Sequence, residues 1–113
     1  MLRSIAATVL ILLTSTTAGA ASFDCDQASK ADEKAICENR ALNDADVRMS
    51  TMFELSTKMV AMGERDGLRA TQLKWLEKRA ACAQDAECLR ALYEQRIADF
   101  EKIFADFDTR VAQ

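Results

Sequence analysis

The chain has 113 residues, with 15 basic and 18 acidic side chains and a formal net charge of −3, a length that suits one domain. It contains no proline, no histidine, three glycines and four cysteines, and 50% of its residues are hydrophobic, a globular rather than a disordered composition. The missing histidine excludes Ser-His-Asp and Cys-His catalysis and histidine metal ligation. The missing proline and scarce glycine argue against an all-β domain with many tight turns.

Residues 1–20 read as an export signal. Met1-Leu2-Arg3 is a short basic start, residues 5–13 are an apolar run, and Ala18-Gly19-Ala20 has the small-x-small pattern of a signal-peptidase site. The run is too short to span a bilayer, which takes about 20 residues. Cleavage is expected after Ala20, with Ala21 as the alternative last residue. Cys25 lies too far downstream for a lipoprotein, so no stable membrane anchor is expected. The domain is then residues 21–113, periplasmic or secreted.

Arg3 is the only charge in residues 1–20, which leaves 14 basic against 18 acidic side chains in the remainder. Seven of those acids fall in residues 24–46 (Asp24, Asp26, Asp32, Glu33, Glu38, Asp44, Asp46). Nucleic acid and anionic membrane reward the opposite charge. A basic protein partner is permitted, and a solvated acidic surface that keeps a small protein soluble explains the same residues.

Cys25, Cys37, Cys82 and Cys88 all follow the signal, in a compartment where disulfides persist. A zinc site or a redox dithiol is disfavoured, because no C-x-x-C pair and no histidine is present. Three pairings are possible. Cys25–Cys37 with Cys82–Cys88 is favoured, since each pair is close in sequence beside an expected helix boundary, and each bridge contributes about 2–3 kcal/mol.

The elements that follow are helices. Ser29-Lys30-Ala31-Asp32 has capping-box spacing and opens a short helix to about Glu38. A second helix is expected from Leu42 to Met62, with Leu42, Ala45, Met49, Met52, Phe53, Met59 and Val60 on one face. Asp46 shares that face, which is unusual for a carboxylate. Gly63 and Gly67 bracket the expected break. A third helix, Leu68 to Ala81, carries Gln72, Trp75, Leu76, Arg79 and Cys82 on one side. Two readings of that stripe remain open: Arg79 packs on Trp75 and pairs with Asp46 across the interface, or Trp75 and Arg79 belong to a contact surface. The fourth helix follows Asp85, with Leu89, Tyr93, Ile97, Phe100, Phe104, Phe107 and Val111 as a seam. It outruns the third helix, so Phe104, Phe107 and Val111 are candidate exposed contacts. The expected fold is all-α: one short helix, then three longer antiparallel helices, stapled by disulfides.

Several fragments together are similar to a known family. Phe23-Asp24-Cys25, Glu33-Lys34-Ala35-Ile36-Cys37 and Leu42-x-x-Ala45-Asp46-x-x-Met49 resemble the start of the LprI-type lysozyme-inhibitor family, also known as a domain of unknown function, DUF1311. Gln72-x-x-Trp75-Leu76-x-x-Arg79-x-x-Cys82 and Cys88-Leu89-x-x-x-Tyr93-x-x-Arg96-Ile97 resemble its second half. The family usually has leucines where Ala45 and Met49 stand and a tyrosine where Phe53 stands, which conserves hydrophobicity. The resemblance implies a protein that inhibits a lysozyme by direct contact; the acidic segment 24–46 and the Met62–Leu68 connection, which is particular to this chain, are the contact regions expected from the residues themselves. It transfers no inhibitory residue. The alternative function is an envelope interaction module that docks through the end of the fourth helix. No carboxylate pair is singled out by position, so no catalytic residue, metal or cofactor is expected and the chain reads as a non-enzyme.

Overall fold

The computed structural model describes residues 21–113, so the expected signal lies outside the described residues. A 3-10 turn, Cys25–Gln27, leads into α1 (Ala31–Glu38), α2 (Arg40–Met59), α3 (Met62–Ala81) and α4 (Ala86–Val111). The fold is all-α, as expected, with one short helix and three long ones. Both favoured disulfides are present, with Cα–Cα separations of 5.8 Å for Cys25–Cys37 and 5.6 Å for Cys82–Cys88.

The caps explain where each helix starts. Lys30, not Ser29, is the residue ahead of α1, and Glu33 rather than Asp32 accepts from the N–H groups of Ser29 and Lys30, at 3.3 Å each. Asp32 turns inward instead and is buried. Asn39 joins α1 to α2 in a single extended residue, and its side-chain oxygen accepts from Leu42 N–H at 3.2 Å, satisfying one of the donors that a helix start leaves free. Asp85 caps α4 in the same way through Cys88 N–H at 3.0 Å.

The break between α2 and α3 differs from expectation. It falls at Val60 and Ala61, both extended, and not at the glycines. Glu64 accepts from Ala61 N–H at 3.2 Å, and Arg65 Nε donates to the Thr57 carbonyl at 2.7 Å, so the new helix start and the old helix end are both satisfied. Gly63 and Gly67 lie inside α3, and neither has positive φ. Met62–Leu68 is therefore helix, not a connecting turn. Among the described residues the left-handed one is Ala83, with φ 50°, in the turn closed by Cys82–Cys88.

Consecutive long helices run antiparallel, so α2 and α4 run in the same direction. Their pairings advance together: Asp46 meets Tyr93, and Phe53 meets Phe100 at 6.2 Å between ring centres. α3 reverses the order, with Gln72 beside Arg96 and Trp75 beside Leu92. The core is Ile36, Leu42, Met49, Met52, Trp75, Cys82, Leu89, Tyr93 and Phe100. Projecting the α2–α4 register places Met59, the last residue of α2, opposite residue 106. Phe104 accordingly packs against the core and Phe107 is half-buried, while Val111 is 68% exposed. The free end is the last turn of α4 only, because α3 starts earlier than its apolar spacing suggests and covers more of the seam.

Candidate functional site

The residues that stood out in the sequence meet in a buried polar centre where α1, α2, α3 and α4 converge. Arg79 Nε donates to Asp32 Oδ2 at 2.8 Å, and Arg79 Nη1 lies 3.5 Å from Asp46 Oδ1. Tyr93 Oη donates to the same Asp46 oxygen at 2.8 Å, and the other oxygen accepts from Ser22 N–H at 2.7 Å. The Arg79 guanidinium also sits 5.5 Å from the Phe23 ring centre and 6.0 Å from that of Trp75. Trp75 meets the Tyr93 ring edge-on at 5.1 Å and donates to the Leu92 carbonyl at 3.3 Å.

One turn along α3 the network continues. Gln72 accepts from Arg96 Nε at 2.9 Å and donates to Met49 Sδ at 3.2 Å. Arg96 lies over the Phe100 ring at 4.5 Å, with Asp99 3.7 Å from Nη1. Burial lowers the Arg96 pKa, and the Asp99 charge only partly opposes it. Burial also works against charge on Arg79, but Tyr93 and Asp32 outweigh it and its pKa is raised. Burial, followed by the Asp46 charge, raises the Tyr93 pKa, so the hydroxyl remains a donor.

Asp46 is 0% exposed, and Gln72, Trp75 and Arg79 are buried beside it. These four side chains tie helices together, and Trp75 also borders a surface hollow of about 230 Å³ between α3 and α4. Chemically the centre is an ion pair with its hydrogen bonds, without an open face for a substrate. Sequence periodicity missed three of its members. Asp32 reads as a cap, Tyr93 reads as part of an apolar seam, and Arg96 is displaced in that reading by Ile97. The available signal for Arg96 was its position three residues after Tyr93 and four before Phe100, which places it on the buried face.

Among the described residues, a groove of about 450 Å³ opens between the first halves of α2 and α4. Its floor is Leu42, Ala45, Tyr93 and Ile97, and its rim carries Asp44, Arg48, Glu87, Arg90 and Glu94. Short side chains at Ala41, Ala45 and Ala86 leave the space open. A smaller hollow of about 290 Å³, bordered by Glu38 and Gln84, shares Asn39, Leu42 and Ala86 with it. Arg48 is neutralised by Glu101 at 2.6 Å, and Arg90 is held between Glu87 and Glu94. The rim thus retains an acidic excess, to which Glu38 and Asp44 of the acidic segment contribute. Asp32 and Asp46, from the same segment, are withdrawn into the core. No group of three or more potential metal ligands occurs among the described residues.

Over 87 residues the chain is 33% identical to lipoprotein LprI of Mycobacterium tuberculosis. It resembles LprI. The same identity holds for lipoprotein LprI of Mycobacterium bovis, with 74% of this chain and 42% of the mycobacterial protein covered. The chain therefore spans less than half the length of the curated relatives it matches. No family profile and no solved structure matches it. Among the described residues, no helix is long and apolar enough to cross a membrane.

Proposed function

We propose that this chain is an exported, non-enzymatic binding protein of the LprI-type lysozyme-inhibitor family, which blocks a muramidase by direct contact. The observation that carries the reading is the 33% identity to lipoprotein LprI over 87 residues. The groove between α2 and α4 is the proposed contact surface. Its apolar floor suits a partner side chain, and its acidic rim suits a basic enzyme, speeding encounter more than it sets affinity. Two disulfides fit an exported protein, since such bridges persist in oxidising compartments. A cell-wall lysis assay with purified protein in stoichiometric excess over several lysozyme types tests the reading. Slowed lysis by at least one type is expected, and undiminished lysis by all of them overturns it.

The second reading is an envelope interaction module without lysozyme activity. Val111, exposed beyond the reach of α2, favours it. Pull-down from envelope extract, comparing the full chain with one truncated after Thr109, tests it. Loss of a captured protein supports docking through this end, and identical captured proteins overturn it.

A further inference from the structure

The polar centre buries two carboxylates, Asp32 and Asp46, around a single guanidinium. Arg79 gives its short contact to Asp32 and stands 3.5 Å from Asp46. Among the described residues no other side-chain cation pairs with Asp46. A buried carboxylate that shares its counter-ion with a second carboxylate is incompletely compensated. The group that meets the second Asp46 oxygen is the backbone nitrogen of Ser22, at 2.7 Å. Its neighbours are fitted to the same place: Phe23 lies against the Arg79 guanidinium, and Ala21 and Phe23 pack on the core. Gly19-Ala20-Ala21 meets the small-residue requirement for cleavage of the Ala21–Ser22 bond, just as Ala18-Gly19-Ala20 does for the bond before it.

We propose that the leader is removed by cleavage between Ala21 and Ser22, one bond beyond the site that spacing favours, and that the new Ser22 α-ammonium pairs with Asp46 as a second cation beside Arg79. The inference rests on the reading of residues 1–20 as an export signal. Water hydrolyses the Ala21–Ser22 peptide bond, leaving a carboxylate on Ala21 and, after proton uptake, an ammonium on Ser22. In the precursor the same nitrogen is a neutral amide that donates one hydrogen bond. After cleavage the contact is charge-assisted, and such contacts are about twice as strong as neutral ones. Processing thereby gives Asp46 a second cationic partner, and the precursor is less stable than the mature chain. The loss of Ala21 removes one methyl group from the packing.

Two measurements test this. The full chain is expressed with its leader in an exporting bacterium, and the N-terminus of the mature protein is read by intact mass and N-terminal sequencing. Ser22 as first residue is expected. Ala21 as first residue overturns the proposal and leaves the export reading standing, whereas an uncut chain overturns both. The second measurement compares thermal unfolding of the Ser22-first protein with a form carrying one extra alanine ahead of Ser22. At pH 6 the Ser22-first protein should melt about 4–8 °C higher. A free α-amino group titrates at about pH 8, and pairing with Asp46 raises that value in the folded state. The advantage is therefore full below about pH 8 and is lost as pH rises through the folded value. Asp46, Asp32, Arg79 and Tyr93 face the nitrogen in both proteins, so the comparison cancels their own titration. Asp46→Asn in both forms should abolish the difference. Equal melting at pH 6, a difference that persists at pH 11, or one that survives Asp46→Asn overturns the proposal. If Asp46→Asn does not fold, the pH comparison decides alone.

Discussion

Asp46 accepts from two donors and faces a guanidinium, and its own side chain is closed to water. Removing it leaves Arg79 with one carboxylate instead of two and strands the Tyr93 hydroxyl. Breaking a buried charge network from one side costs about 3–5 kcal/mol. Asp46→Ala is expected to lose stability on that scale in urea unfolding followed by circular dichroism, and a loss below about 1 kcal/mol would contradict the burial described above. Tyr93 is the chain's one tyrosine, which makes its titration directly visible. Its pKa is raised in the folded state by burial and by Asp46, so the folded chain holds the proton that the unfolded chain releases from about pH 10. Stability from this group is full below about pH 10 and falls above it. Absorbance at 295 nm should show no tyrosinate at pH 10.5 while the near-ultraviolet dichroism remains native. Early tyrosinate in a folded chain would place the hydroxyl in solvent.

At the scale of the element, the α2–α3 junction separates local signals from tertiary ones. Glycine pairs commonly mark breaks, yet Gly63 and Gly67 sit within α3 while Val60 and Ala61 make the turn. The decisive groups are Glu64 and Arg65, which satisfy backbone atoms on either side of the turn. Gly67 has negative φ and open space where a Cβ would stand. Gly67→Ala should therefore stabilise the protein by about 0.5–1 kcal/mol, measured by thermal or urea unfolding. Destabilisation would mean that the chain breaks at the glycine after all. The seam of α4 was legible as a seam, but which of Arg96 and Ile97 is buried was not. Their angular positions differ by one residue, and only the location of Gln72 on the antiparallel α3 gives Arg96 its partner.

For the whole molecule, two short-range disulfides hold the ends of α1 and the α3–α4 turn. Each closes a small loop and contributes about 2–3 kcal/mol through the unfolded state. Reduction with excess dithiol should lower the melting temperature by about 10 °C or more, and an unchanged melting curve would show that the bridges are not stabilising. The acidic rim of the groove leads to a further expectation. Asp44→Lys combined with Glu94→Lys should slow association with a basic lysozyme by about tenfold or more at low salt, with a smaller effect at high salt, read by surface plasmon resonance. Unchanged rates would move the contact surface elsewhere.

The sequence by itself determined the helical class and the number of helices, and it favoured one of three cysteine pairings, which the structure then selected. Helical periodicity is local, and nothing in the chain competes with it. It also marked Asp46, Gln72, Trp75 and Arg79 as unusual, because polar groups on an apolar stripe require partners. Only the tertiary structure decided who those partners are. Asp32, Ser22 and the α4 pair Tyr93 and Arg96 come from three separate segments, and a cap, a seam residue and a backbone N–H look ordinary until packing brings them together. The same holds for the surface: the groove exists because α2 and α4 lie side by side with alanines facing the gap, a juxtaposition that no local pattern records.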